Sequence, residues 1–97
     1  MSYRLVYSQT SRNQIRSLHP QIKTIVKRKI REIDVDPFFG KALEKDLSGY
    51  HSIRAKRFRI IYRIIERENI IQIHYVGHRR DIYEIFRETI EKIDGLS

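Results

Sequence analysis

The chain has 97 residues, 40% of them hydrophobic and 33% charged, with no cysteine. That length allows one small domain over residues 1–97 with a modest core, and the missing cysteines exclude disulfides, thiolate metal sites and cysteine nucleophiles. Twenty Lys and Arg against twelve Asp and Glu leave a formal net charge of +8, which points either to a polyanionic partner, nucleic acid first, or to a solubilising basic surface.

Arg4 breaks the first apolar run, and no later one approaches the roughly 18 residues of a membrane span. Neither a secretion signal nor a membrane partner is expected, and a chain without cysteine fits a cytoplasmic setting. Tyr3, Leu5 and Tyr7 alternate with Arg4 and Val6, so residues 3–7 read as a first strand. Ser8 offers a cap for a helix over residues 9–18, whose apolar stripe is thin, Ile15 and Leu18 alone. His19-Pro20 interrupts it, and Pro20 suits the first position of a second helix. There Ile22, Ile25, Val26, Ile30 and Ile33 recur at helical spacing until Asp36-Pro37 ends the run.

Residues 37–50 carry Pro37, Gly40 and Gly49 and read as a connecting loop with one short turn of helix. The period then changes to two. Residues 51–55 form a second strand, Lys56-Arg57 a tight turn, and residues 58–66 a third strand with Phe58, Ile60, Tyr62 and Ile64 on one side and Arg59, Ile61, Arg63 and Ile65 on the other. Arg67-Glu68-Asn69 makes a second turn and residues 70–76 a fourth strand, ended by Gly77; such short turns imply an antiparallel meander. Asp81 can cap a last helix, striped by Ile82, Ile85, Phe86, Ile90 and Ile93 up to Gly95. The expected fold is α+β in the order β-α-α-β-β-β-α, a twisted, mainly antiparallel four-stranded sheet packed in two layers against helices.

Between Ser52 and Ile65 stand five cations, Arg54, Lys56, Arg57, Arg59 and Arg63, and no carboxylate. A hairpin gathers them on one patch, and His78, Arg79 and Arg80 after the fourth strand converge on it. Such a patch suits a phosphodiester backbone, with guanidinium forks on the phosphate oxygens and Tyr50, Tyr62, Tyr75 and Tyr83 as candidate stacking partners. Tyr62 shares the apolar side of its strand and reads as core. Cross-strand pairing of Arg59 and Arg63 with Glu66 or Glu68 is the competing, purely structural reading. A metal site is not expected. His74 and His78 are four apart along a strand, about 13 Å at 3.3 Å per residue, too far for two ligands of one ion. No carboxylate cluster flanks the patch.

The segments LSGYHSIRAKRFRIIYRI (Leu47–Ile64) and VGHRRDIY (Val76–Tyr83) resemble the RelE branch of the RelE/ParE toxin superfamily, and the order of elements over residues 3–93 is similar to that family's. The resemblance implies the toxin of a type II toxin–antitoxin pair, a ribosome-dependent endoribonuclease that cleaves mRNA in the ribosomal A site by metal-independent attack of a 2′-hydroxyl on the adjacent phosphate. It implies no cofactor and no small-molecule ligand. Mapped by position, it makes Arg54, Arg59, Arg79 and Tyr83 the catalytic set, with Lys56, Arg57, Arg63, His78 and Arg80 binding RNA. Arginine cannot serve as a base, so Arg54 and Arg59 would stabilise phosphate charge. Arg79 would face the leaving oxygen. Tyr83 would accept the 2′-hydroxyl proton, since surrounding cations favour a phenolate, and His78 is the alternative acid or base. Many relatives carry lysine where Ser52 stands, leaving a cation missing here or replaced by Lys56. The competing reading is a ParE-like inhibitor of DNA gyrase without nuclease chemistry. Either way the expected partner is an acidic antitoxin, partly disordered when free.

Overall fold

The computed structural model describes residues 3–78 and 82–96; Arg79, Arg80 and the Asp81 cap lie outside them. The chain runs β1 (Arg4–Tyr7), α1 (Gln9–Arg16), α2 (Pro20–Val35), β2 (Lys41–Ala42), β3 (Tyr50–Ala55), β4 (Phe58–Ile65), β5 (Ile70–His78) and α3 (Ile82–Leu96), with single 3₁₀ turns at Pro37–Phe39, Lys45–Leu47 and Glu66–Glu68. The four expected strands are present, and the loop before them contributes a fifth, two residues long.

The sheet order is β1-β5-β4-β3-β2. β2 to β5 form the antiparallel meander, and β1 adds itself parallel to β5 at the far edge. β5 does not stop at Gly77 but continues to His78, because Arg59 and Phe58 still offer it partners. Between Ile61 and Tyr62 the register slips: Ile61 faces Tyr75 while Tyr62 faces Ile73. His74 is the extra residue of a β-bulge, a device that re-aims side chains locally.

Local sequence explains the helix starts. Ser8 Oγ accepts the Ser11 N–H at 3.0 Å, and His19 Nδ1 accepts the Gln21 N–H at 3.3 Å with Pro20 in the first turn. The thin apolar stripe of α1 is supplemented by polar stitching to the bulged strand. Ser8 Oγ donates to His74 O (2.9 Å), Ser11 Oγ donates to Ile73 O (2.9 Å), and Gln14 Oε1 accepts the Val76 N–H (2.7 Å). These bonds satisfy β5 groups where the bulge disturbs the ladder.

One face of the sheet, Ile53, Ala55, Ile60, Tyr62, Ile71, Ile73 and Val76, packs under Ile15 of α1 and Val26, Ile30 and Ile33 of α2. The opposite face is apolar only in part, around Ile61, where Leu47, Ile82 and Phe86 close over it. The sheet is therefore clad on both sides, whereas the alternation in β4 predicts two layers; the second cladding is α3. Tyr62 is wholly buried, as expected of core. Its hydroxyl donates to Pro37 O (2.7 Å) and accepts the Gly40 N–H (3.2 Å), and burial pushes the phenol's pKa up to about 12. A Cβ on Gly40 would overlap that hydroxyl and come within 2.9 Å of Ser52 O, so only glycine fits there.

Candidate nucleic-acid interface and active site

Alternate residues of a strand share a face. The α3 side of the β3–β4 hairpin therefore carries Tyr50, Ser52 and Arg54 on β3 and Arg59, Ile61 and Arg63 on β4. The register sets Tyr50 opposite Arg63, Ser52 opposite Ile61 and Arg54 opposite Arg59. Directly opposed side chains begin about 4.5–5.5 Å apart at Cβ, close enough for like charges to repel. Among the described residues neither Arg54 nor Arg59 has a carboxylate partner. The two ion pairs there are Lys29–Glu32 at 3.1 Å and Arg87–Asp46, neither of which involves a hairpin arginine. Arg63 pairs with neither Glu66 nor Glu68; its guanidinium lies over the Tyr50 ring, 5.8 Å from the centroid.

The first turn of α3 brings Tyr83 to this surface. The Tyr83 hydroxyl is 3.0 Å from Ser52 Oγ, and Arg59 Nη1 donates to the same Oγ at 2.7 Å. The Arg59 guanidinium also stands 6.0 Å from the Tyr83 ring centroid, within cation–π range. Arg59 and Tyr83, far apart in the chain, thus meet through one serine that is 1% exposed. Beside Tyr83 opens a cleft of about 300 Å³ lined by Lys41, Leu43, Glu44, Leu47 and Arg87 among others.

The remaining expected residues divide. Arg54 is exposed on the same face, next to Arg59. Lys56 and Arg57 are exposed at the hairpin tip, where Lys56 takes a positive φ of 59°. His78 pairs in register with Phe58, which sits opposite Ala55 of the α1–α2 core, so it belongs to the other face; its ring meets Phe58 edge-on at 5.7 Å. It is not brought to the Arg59–Tyr83 pair. Tyr75 and Phe86 pack together, while Tyr50 meets both Phe86 and the bulged His74 edge-on. His74 is held below the ordinary imidazole range by burial first and by the Arg63 charge second, and burial alone does the same to His51.

Two residues of the site escape sequence reasoning. Ser52 leaves a faint signal, a hydroxyl within a buried strand row, but its partners lie 7 and 31 positions away. Lys41 leaves none. It pairs in register with Ser52 through β2, a strand too short for any periodicity, and puts a cation next to that serine.

A family model described as the ParE toxin of type II toxin–antitoxin systems, parDE, matches residues 4–83. The chain belongs to the RelE/ParE toxin family. This toxin is 32% identical over 85 residues to Toxin RelG of Mycobacterium tuberculosis, an alignment covering 86% of the chain and 98% of that protein. Among solved structures, the toxin–antitoxin complex RelBE2 of the same organism matches with a TM-score of 0.73 at 28% identity, covering 81% of this chain and all of that one. A mutant of the Escherichia coli toxin RelE in the free state matches with a TM-score of 0.76 over 96% of this chain and 99% of that one; at 20% identity that likeness speaks for the fold alone. Among the described residues no helix of the toxin is long and apolar enough to cross a membrane.

Proposed function

We propose that this toxin is an endoribonuclease that cleaves mRNA, in the ribosomal A site, through the surface shared by Arg54, Arg59 and Tyr83. The observation that carries this reading is the meeting of Arg59 and Tyr83 on Ser52 beside a second guanidinium, that of Arg54. In the reaction Tyr83, as a phenolate, takes the 2′-hydroxyl proton, the 2′-oxygen–phosphorus bond forms, and the phosphorus–5′-oxygen bond breaks as the 5′-oxygen takes a proton from solvent water. The products are a 2′,3′-cyclic phosphate and a 5′-hydroxyl. Arg54 and Arg59 lie on the phosphate and offset the charge that builds on its oxygens in the transition state, a contribution available only to fixed donors already aimed at the site. Arg79 is assigned to the leaving oxygen. Lys56, Arg57, Arg63 and Arg80 hold the flanking backbone by charge. His78 has no part in the proton transfers.

The likeness to Toxin RelG and to a RelBE complex supports this reading, as do two arginines without a carboxylate partner among the described residues. The matching family model is that of ParE, which favours gyrase inhibition as the second reading. One experiment separates them: mRNA cleavage on programmed ribosomes, run beside a gyrase supercoiling assay. Wild type cuts mRNA and leaves gyrase untouched, whereas Arg59→Ala and Tyr83→Phe each lose about 100-fold or more in cleavage rate, the scale of a lost transition-state donor or proton acceptor. Gyrase blocked with mRNA intact gives the function to the second reading.

The partner on this view is an acidic antitoxin segment. Solved relatives are toxin–antitoxin complexes, and a chain of net charge +8 attracts and is neutralised by such a segment.

A further inference from the structure

We propose that Ser52 is the positioning residue of this site: its hydroxyl, fixed by Arg59, holds the Tyr83 phenol and donates to it once the phenol has lost its proton. The proposal rests on the reading of Tyr83 as proton acceptor, but its geometry stands independently.

A guanidinium carries donors only, so the 2.7 Å contact makes Ser52 Oγ the acceptor from Arg59 Nη1. One lone pair of the serine is thereby committed. Its proton and its second lone pair remain for the Tyr83 hydroxyl at 3.0 Å. While Tyr83 is neutral, either oxygen can donate. Once it is a phenolate it has no proton to give, and the contact survives only with Ser52 O–H as donor. That bond is charge-assisted and therefore the stronger of the two. Arg59, drawing on the serine oxygen from behind, makes the hydroxyl a better donor still. The serine thus passes part of the Arg59 charge to the phenolate along a path set by two strands and a helix start. Its near-complete burial fixes where the hydroxyl sits.

Other charged groups face Tyr83. Among the described residues they are Arg59 and Arg54 from the hairpin, Lys41 and Glu44 from the segment around β2, and Arg87 of α3 with its partner Asp46. Each of these residues is common to Ser52→Ala and Ser52→Thr, and Arg59 alone loses its acceptor with the hydroxyl, so the pair reads the hydroxyl together with the guanidinium it anchors.

The test follows the ionisation of Tyr83 by NMR in protein labelled at the tyrosine ring carbon bearing the hydroxyl, with Tyr83→Phe identifying the signal. In Ser52→Ala the pH at which the Tyr83 signal changes is higher than in wild type, because the charged form has lost one hydrogen bond. In Ser52→Thr, which keeps the hydroxyl, it stays in place. The plateau of the pH–rate profile for RNA cleavage moves with it. Should Ser52→Ala unfold, Ser52→Val set against Ser52→Thr compares two side chains of one shape that differ in the hydroxyl. Tyr83 ionising at the same pH with and without the hydroxyl overturns the proposal. A shifted Tyr83 in a protein that cuts no RNA leaves Ser52 in its role and sinks the nuclease reading instead.

Discussion

Two half-buried histidines tie the stability of this toxin to pH. His51 stacks on Tyr62, its ring centroid 5.5 Å away, and His74 sits in the bulge against Tyr50. Both are held neutral, titrating below the usual value of 6.5. Below that pH the unfolded chain takes up protons that the folded chain refuses, so stability is lost as the pH falls from 6.5 toward the lowered folded values. Each imidazole adds at most about 1.4 kcal/mol per pH unit to the slope, the free energy of one proton. Urea unfolding at several pH values between about 6.5 and 5 reads a shallower slope in His74→Gln than in wild type. Equal slopes would show that His74 charges freely in the native protein.

At the scale of elements, the proposed active site depends on how one helix is seated. Tyr83 reaches Ser52 because Ile82 and Phe86, 1% and 2% exposed, lock the start of α3 over Ile61. Phe86→Ala removes about 3–5 kcal/mol of packing, most of it from α3 rather than from the sheet. Hydrogen exchange of α3 amides then accelerates while the β4 and β5 amides stay protected, and RNA cleavage falls at least about tenfold through misplacement of the phenol. Uniform exchange in all elements would mean that α3 and the sheet unfold as one unit.

The same elements show what a sequence discloses. The Ser8 cap, Pro20 and the Asp36-Pro37 stop are local chemistry, and both helices fall where that chemistry puts them. The β4 hairpin is legible because its alternation is strong and its turns are short. β2 has no pattern because two residues cannot alternate. The α1 contact is hidden because it runs through Ser8, Ser11 and Gln14 to backbone groups freed by a bulge that no residue type marks. The basic hairpin stands out in composition, whereas Ser52 is defined by partners that come together only once the sheet and α3 are both in place.

Across the whole molecule, repulsion between cations outweighs attraction between pairs. The described residues contain two side-chain ion pairs, both partly exposed, and exposed pairs contribute about 0–1 kcal/mol each. Against them stands a net charge of +8 within extents of 34 × 33 × 22 Å. At about 0.01 M salt the Debye length of roughly 30 Å lets every cation feel the rest, and at about 1 M it shrinks to roughly 3 Å. Added sodium chloride therefore raises the thermal midpoint of the free toxin while weakening the RNA binding proposed for it, two opposite trends measurable by calorimetry and filter binding. A midpoint that falls with salt would mean that attractive pairs dominate after all.

The parallel seating of β1 against β5 has a consequence during synthesis. β1 has its place beside β5, a strand made long after it, and the bond from Ser8 to His74 closes a gap of 66 positions. Until β5 emerges, Arg4–Tyr7 has no ladder to join and α1 has no backbone to grip; such distant closures are slow and come late. A ribosome partway through this message therefore carries an unfinished sheet and, before residue 83, no Tyr83 phenol to meet Ser52. Whatever the toxin attacks, the contact of Arg59, Ser52 and Tyr83 assembles on the growing chain only after residue 83 has been made.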